Sequence, residues 1–583
     1  MLFDQIYEEI VSQIKTSLGL KLEQKREAPL VLETPPSLDL GDFAFPTFKL
    51  AKELKKAPPL IAAQIHESIV KNQSLTRKCE ITTTGPYINF KIKKEFLLEE
   101  VLSSLLVSED DLAQKTLKNP QSVVIEFSSP NIAKPFNIYH LRSTMIGHTL
   151  CKIYQTRGFK PIAINHLGDW GTQFGVLALA YEMWGNEQEL QKTGISYLVE
   201  LYVRIHKEFE KNPELEKKAQ EYFSKLEKGD LQVKAYWEKF VQLSLKEYEQ
   251  MYQRLGVHFD FIWGESFYIS QIPKLEERLL KESLLTQSDG AKIVNLDAFG
   301  MPPCIIQKKD GSSIYATRDL AAAWYRYEKF QFSKMLYVVG AEQKLHFKQI
   351  FKVLELLKCD WAKNCEHVDF GIYRFQTSEK NFEKMSTRKG TFVTMKEVLD
   401  LAVQEVENIM EKKNSQSSAQ EKKEFSEIIG VGAIIFNDLS TDRIQDVNFD
   451  LKQVLDFDGE TGPYIQYAHT RCLSILKNAP SVKTDNLLKA SLLKLEAKEE
   501  IHLLKKLARF PLVLDSVLEH SKPSLLAHFL IDITKAFNLF YRTHKVLTDD
   551  SLTTQARLAL VLATQKTLKK GLFLLGIKTP LKM

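Results

Sequence analysis

The sequence predicts an α/β protein: a Rossmann-like, doubly wound parallel sheet, preceded by a smaller α+β domain and followed by an all-α bundle. Three observations carry this. Short apolar runs of strand length, Val123-Val124-Ile125, Ile162-Ala163-Ile164 and Met335 to Val339, each end in a polar turn. Helical periodicity follows the first of them at Ile138, Leu141, Met145, Ile146 and Leu150. The 583 residues are too many for one core and ask for about three or four domains. The expected boundaries are 1–118, 119–395 with a helical insertion at about 187–256, a connecting helical segment 396–455, and the bundle 456–583.

Hydrophobic residues make up 44% and charged residues 26%, the balance of an ordinary folded chain rather than a disordered or membrane-embedded one. A net charge of +5 neither requires nor excludes a polyanion, so the local distribution decides. From Ser551 to Met583 six basic residues (Arg557, Lys566, Lys569, Lys570, Lys578 and Lys582) meet no acidic one, which favours a polyanionic partner. The six cysteines (Cys79, Cys151, Cys304, Cys359, Cys365, Cys472) form no CxxC pair, and Cys359, Cys365 and His367 fit no common zinc spacing. Reduced thiols, no protein-bound metal and a cytoplasmic location are therefore expected. The opening MLFDQIYEEIVSQI has acidic residues and no cleavable apolar core, and no apolar run is long enough for a membrane span.

In the first domain, Phe3, Ile6, Ile10, Ile14 and Leu18 mark an amphipathic helix. Gly41-Asp42 is read as a turn leading into a second helix with Lys49, Lys52, Lys55 and Lys56, and Ile88, Phe90 and Ile92 alternate as a strand. In the core, Ser128-Ser129-Pro130-Asn131 breaks the first strand, and the following helix opens with unpaired N–H groups, a ready anion site. That loop and first turn hold Asn131, Lys134, Asn137, Tyr139, His140, Arg142, Ser143 and Thr144; by itself this is also how an ordinary polar βα turn reads. His166 to Gly175 is a glycine-rich turn at the end of the second strand, where ligands of doubly wound sheets bind. The charged helices at about 187–256 read as a solvated insertion. Tyr315 and Asp319 are four apart on a helix that begins at Tyr315, hence on one face; Asp319 suits a guanidinium, or pairs locally with Arg318 or Arg326. Gln343 follows the strand Met335 to Val339 at the same crevice. Lys384-Met385-Ser386-Thr387-Arg388-Lys389-Gly390 is a basic loop before a helix: a surface loop or a phosphate clamp. From about Lys396 the chain is helical, and Tyr541, Arg542 and His544 suit base stacking as well as core or surface roles.

SSPNIAKP followed by HLRST, then NHLGDWGTQFG, KMSTRKG and GDFAFP with GPYINFKI, together resemble the arginyl branch of the class I aminoacyl-tRNA synthetases over nearly the whole chain. The resemblance implies an enzyme that activates L-arginine with ATP to arginyl-adenylate and pyrophosphate, then transfers arginine to the 3′ end of tRNA(Arg). It implies Mg²⁺ accompanying the ATP, a monomer, and activation that requires bound tRNA. It assigns catalytic roles to His140, Lys134, Lys384 and Arg388, with Lys134 standing in for a lysine that the general motif has at Thr387. ATP contacts fall on Asn137, Tyr139, His140, Lys384, Met385 and Ser386; arginine contacts on Ser129, Asn131, His140, Tyr315, Asp319 and Gln343. Glu265 resembles a family carboxylate near the amino-acid pocket. The N-terminal domain is expected to touch the outer corner of tRNA and the C-terminal bundle its anticodon, with Lys566, Lys569, Lys570 and Tyr541 as contacts. Where the family signature ends His-x-Gly-His, this chain has Asn137-Ile138-Tyr139-His140. That departure leaves a catalytically degenerate tRNA-binding paralogue as the alternative. A small-molecule nucleotidyltransferase would share the fold but not explain the bundle.

Overall fold

Ile88, Phe90 and Ile92 alternate along the chain and are all buried, which the two-residue period of a strand requires. In the structure, a computed structural model that describes residues 3–19, 30–36, 40–107, 110–309, 314–378, 381–383, 394–412, 418–479 and 492–583, they belong to a three-stranded antiparallel sheet. Its strands are β1 (Phe43–Pro46), β2 (Cys79–Thr84) and β3 (Tyr87–Ile92), in the order β1-β3-β2. The helices Phe3–Ser17 and Pro58–Ile69 cover it with Phe3, Ile6, Ile10, Ile61 and Ile65. β1 corrects the sequence reading, which took Gly41-Asp42 straight into a helix. Phe43 and Phe45 are buried against the sheet, and the helix is only Phe48–Leu54, ended by Lys55 in the left-handed region. Gly41, at φ +119°, lies so near the β3 backbone that a Cβ would stand 2.8 Å from the Phe90 carbonyl.

The core is built on five parallel strands: β4 (Ser122–Glu126), β5 (Lys160–Asn165), β6 (Phe261–Ile262), β10 (Lys334–Tyr337) and β11 (Cys365–His367). They lie in the order β11-β10-β4-β5-β6, so the chain winds outward from β4 in one direction, then returns to start the other side at β10. Val123 and Ile125 enter one hydrophobic core and Val124 the other, as expected of a strand covered by helices on both faces. The helix after β4, Tyr139–Thr156, is buried on nearly every side, between the sheet, the helix Ala419–Ser440 and the C-terminal bundle. Gly147 permits its close approach: a Cβ there would lie 2.2 Å from the Phe127 ring.

Five helices, Thr172–Trp184, Glu187–Thr193, Ile195–Phe209, Glu214–Glu227 and Leu231–Leu255, intervene between β5 and β6. An antiparallel sheet of β7 (Leu285–Ser288), β8 (Ala291–Val294) and β9 (Cys304–Gln307) precedes the helix Tyr315–Phe330. After β11, β12 (Tyr373–Ser378) pairs with β13 (Asn381–Glu383) and, in parallel, with β14 (Val447–Phe449), a strand inside the stretch the sequence reads as helical. The end of the chain packs as the helices Gly462–Lys477, Lys498–Ala508, Phe510–His520, Ser524–Thr543 and Ser551–Leu574. Among the described residues no helix is long and apolar enough to cross a membrane.

Candidate active site

Reversal of winding between β4 and β10 opens a crevice beyond the carboxyl ends of those strands. It holds a cleft of about 660 Å³ whose walls include Ser129, Asn131, Tyr139, His140, Tyr315, Asp319 and Gln343. These residues, from Ser129 to Gln343, are far apart in sequence and are brought together by the sheet order.

The loop after β4 is held in a conformation that side chains seldom adopt: Ser128, Ser129 and Ala133 all have positive φ, at 70°, 49° and 59°. Its bonds explain why it stays there. Ser143 Oγ accepts the Ser128 N–H at 2.9 Å and donates to the Val338 carbonyl at 2.7 Å, tying the ends of β4 and β10 together. Asn165 Oδ1 accepts the Ser129 N–H at 3.2 Å, and its amide donates to the Tyr252 hydroxyl, which lies 2.9 Å from Ser128 Oγ. The Tyr248 hydroxyl lies 2.7 Å from the carbonyls of both Asn131 and Lys134.

At the start of the long helix, Asn137 Oδ1 accepts the Tyr139 N–H at 3.1 Å and caps the first turn. The Asn137 N–H donates to His140 Nδ1 at 3.1 Å, so the neutral ring carries its proton on Nε2. Burial, with the Lys134 charge nearby, holds this imidazole down to about 4. The ring also stacks on Phe136 at 4.9 Å. His140 is therefore a neutral hydrogen-bond donor at ordinary pH, aimed from a fixed ring.

Opposite lies a wall of carboxylates. Glu126, at the end of β4, is paired with the Arg326 guanidinium, which also bonds the Tyr268 hydroxyl at 3.0 Å. Glu265 is paired with Arg318 at 3.0 Å, and burial pushes its carboxyl up to about 7 against the pull of Arg318 and His166. Asp319 differs: among the described residues no arginine or lysine pairs with it. Its oxygens face two imidazoles, His346 Nε2 at 2.6 Å and His166 Nε2 at 3.5 Å. Burial would raise this carboxyl, but the nearby His166 ring and the bond from His346 hold it well below the usual range. A carboxylate at the rim of a cleft with no permanent cation of its own is where a ligand guanidinium fits best.

The sequence reading missed His346 and the buried Glu126–Arg326–His166 group. His346 stands three residues past Gln343 on the helix Lys344–Leu356, so its nearness to a proposed ligand residue was the available signal. Lys134 and Asn137 flank the cleft at the signature loop rather than lining it. Lys384, Met385, Ser386 and Arg388 lie outside the described residues; β13 ends at Glu383, immediately before them. Two of the C-terminal lysines are turned inward. Lys566 Nζ donates to the carbonyls of Leu106 and Val107 at 2.7 Å each, and the largely buried Lys570 donates to the Asp110 carbonyl at 3.3 Å. Lys569 is half-buried. Tyr541 is 40% exposed, stacked on Phe537, with the Arg471 guanidinium 5.4 Å from its ring centre. Among the described residues no cluster of three or more histidine, cysteine or carboxylate groups could hold a metal.

Comparison with known proteins accounts for the whole chain. The family profile for the catalytic domain of class I (R) tRNA synthetases matches residues 101–451, the arginyl-tRNA synthetase N-terminal domain matches 4–92, and the DALR anticodon-binding domain matches 465–583. An arginine–tRNA ligase of Clostridium perfringens is 45% identical over 99% of this chain and 100% of its own length. One from Alkaliphilus metalliredigens is 42% identical over 98% and 99%. Among solved structures, arginyl-tRNA synthetase from Plasmodium falciparum superposes with a TM-score of 0.82 at 26% identity, covering 99% of each chain. The Thermus thermophilus enzyme shares the fold with the same TM-score of 0.82 at 23% identity. With its catalytic, N-terminal and anticodon-binding segments all matched, the chain belongs to the arginyl-tRNA synthetase family of class I aminoacyl-tRNA synthetases.

Proposed function

We propose that this chain is an arginine–tRNA ligase. The carboxylate of L-arginine attacks the α-phosphorus of ATP, pyrophosphate leaves, and the arginyl group then passes from the adenylate to a terminal hydroxyl of tRNA(Arg). The observation that carries the reading is Asp319, a cleft carboxylate matched by no fixed cation among the described residues and set across from the signature loop. No feature of the comparisons favours a degenerate paralogue.

Because the substrate carboxylate is itself the nucleophile, the protein's task is positioning and charge stabilisation. Asp319 and Tyr315 take the guanidinium, Ser129, Asn131 and Gln343 the amino-acid backbone groups. His140 donates from Nε2 to oxygens that gain charge in the transition state. Asn137 and Tyr139 border the nucleotide, and Lys134, with Lys384, Met385, Ser386 and Arg388 of the KMSTRKG stretch, meets its phosphates. Magnesium enters bound to ATP. The reading includes a monomer working in the cytoplasm, whose N-terminal domain, residues 1–118, and bundle, 456–583, hold tRNA at its outer corner and anticodon. The inward bonds of Lys566 and Lys570 support a role in fastening the bundle, which leaves Tyr541, beside Arg471, as the better candidate for stacking on a base.

The decisive experiment is arginine-dependent ATP–pyrophosphate exchange with and without tRNA(Arg). Exchange that appears only with tRNA is expected. No exchange in either condition, restored by Asn137→His with Tyr139→Gly, would instead identify a degenerate paralogue. Asp319→Ala is expected to weaken arginine binding by about 2–5 kcal/mol, the scale for truncating one partner of a buried charge pair.

A further inference from the structure

The cleft wall contains three carboxylates that burial has withdrawn from water wholly or in part: Glu126, Glu265 and Asp319. Two have permanent cations, Arg326 and Arg318 respectively. Among the described residues the third has only imidazoles, one facing each oxygen. An ammonium or guanidinium keeps its charge at any ordinary pH, but an imidazole holds one only while protonated. The countercharge on Asp319 can therefore leave as a proton, which those of Glu126 and Glu265 cannot.

We propose that L-arginine takes Asp319 in exchange for a proton held by the His166–His346 pair. Both histidines act as positioning residues. While arginine is absent, a protonated imidazole neutralises Asp319 and keeps its oxygens in place. When the guanidinium arrives, two cations cannot share one small carboxylate site without repulsion, and the proton leaves to solvent. His346 is the exit: its side chain is 22% exposed, against 9% for His166. The inference rests on the assignment of Asp319 to the guanidinium and deepens it.

The surroundings fix the direction of the linkage. His346 faces Asp319, with Glu126 further off; burial pulls its proton away, and the two carboxylates more than restore it, so it lies above the usual histidine range. His166 faces Glu126, Asp319 and Arg326; its Nδ1 lies 3.2 Å from both the Trp263 carbonyl and Arg326 Nη2, and the Tyr268 ring is 5.6 Å away. Asp169 and Glu265 also act on it. Burial and Arg326 oppose its charge, Glu126 and Asp319 favour it, and the net direction is again upward. Arginine binding lowers both, so affinity is greatest above their titration and falls as pH drops through it.

Titration calorimetry of the full chain with L-arginine, in buffers of different ionisation enthalpy from about pH 6 to about pH 8.5, counts the protons released. Wild type is expected to release close to one proton at the acid end and almost none at the alkaline end. Its Kd should rise toward acid by up to about tenfold per pH unit. His346→Gln keeps an N–H for Asp319 but cannot titrate; it should lose more than half of the released proton and flatten the acid-side rise in Kd. Glu265→Gln removes the other wall group that titrates in this window, a carboxyl held up to about 7, and should keep most of the release. A His346→Gln protein that retains more than half of the release, or a Glu265→Gln protein that loses it, overturns the proposal. Asp319→Asn tests the assignment beneath it: arginine affinity unchanged at every pH in that variant removes Asp319 from the guanidinium site, a failure distinct from that of the proton exchange.

Discussion

At the start of the signature helix the ring of Tyr139 occupies the place of a family glycine, while its N–H is capped by Asn137 and its neighbour His140 is fixed through Nδ1. The two replacements therefore keep the helix start closed and leave the His140 Nε2–H as the donor of the motif. His140→Ala should lower activation by about 10²-fold or more, the scale for removing one transition-state donor. Tyr139→Gly should change KM for ATP and leave KM for arginine nearly alone; equal effects on both would place the ring away from the nucleotide. Burial also has a consequence for stability. His140 is held down to about 4, and His148, enclosed between the helix and the last turn of the bundle near Gly576, to about 3, mainly by desolvation. Below the ordinary histidine value of 6.5 the unfolded chain binds protons that these folded rings refuse, so stability falls as pH drops from there toward 4 and below. Each ring contributes on the order of 2–4 kcal/mol to that loss. Thermal melts at stepped pH check it, and His148→Leu should flatten the slope; an unchanged slope would show that the loss arises elsewhere.

At the scale of the element, two loops build the cleft by packing against each other. Gly168 N–H donates to the Pro130 carbonyl, and the Ile132 N–H to that of Gly168, at 3.1 Å each, so the turn after β5 zips onto the turn after β4. A Cβ on Gly168 would fall 2.1 Å from Asn131 Oδ1. Gly168→Ala should therefore displace the Asn131 amide, destabilise by about 1–3 kcal/mol as an overpacked site does, and raise KM for arginine. Calorimetric melts and arginine-dependent exchange measure the two effects; an unaltered KM would show that Asn131 is not an arginine ligand. Much of this frame was legible beforehand. The apolar runs at Val123 and Ile162 became β4 and β5 because strands buried on both faces must be continuously apolar, and the helix expected from about Ile138 begins at Tyr139. Tyr315 likewise opens its helix. β1 was hidden because FAFP is short and follows a turn, and propensity cannot see that β3 waits forty residues on to pair with it. The carboxylate wall was illegible for a similar reason. Glu126 and Arg326 lie 200 residues apart, and only the placement of β10 beside β4 makes them neighbours. Lys566 and Lys570 show the reverse error: a run of basic letters looks solvated until the carbonyls of residues 106, 107 and 110 are brought against it.

Across the whole molecule the signature helix reaches from the cleft to a junction of three domains. Arg157, its C-cap and only 1% exposed, takes Asp515 of the bundle with Nε at 2.7 Å and Nη2 at 2.8 Å. It takes Asp4 of the first helix at 3.0 Å and donates to the Ala113 carbonyl at 2.7 Å. One planar fork thus joins the N-terminal domain, at both Asp4 and Ala113, to the core and the bundle, while a second latch ties Asp42 to Lys505 at 2.7 Å and to Arg509 through its carbonyl. Replacing Arg157 by methionine preserves bulk but leaves Asp4 and Asp515 without their shared cation; because the Asp515 side chain is 43% exposed, water takes up part of the loss and the cost is about 1–3 kcal/mol. Lysine should recover only part of this, since a point charge cannot bridge Asp515 in two bonds and still reach Asp4. Because the guanidinium is buried, added salt should do little to wild type, whereas it should partly rescue Arg157→Met by screening Asp4 from Asp515. Limited proteolysis of the full chain reads the domain junction directly: Arg157→Met should release the segment before residue 118 faster than wild type, with Asp42→Asn adding to the effect because its latch is separate. If Arg157→Met melts and is cleaved like wild type, the fork is a dispensable contact and the Asp42 latch, with the Lys566 and Lys570 bonds, holds the domains.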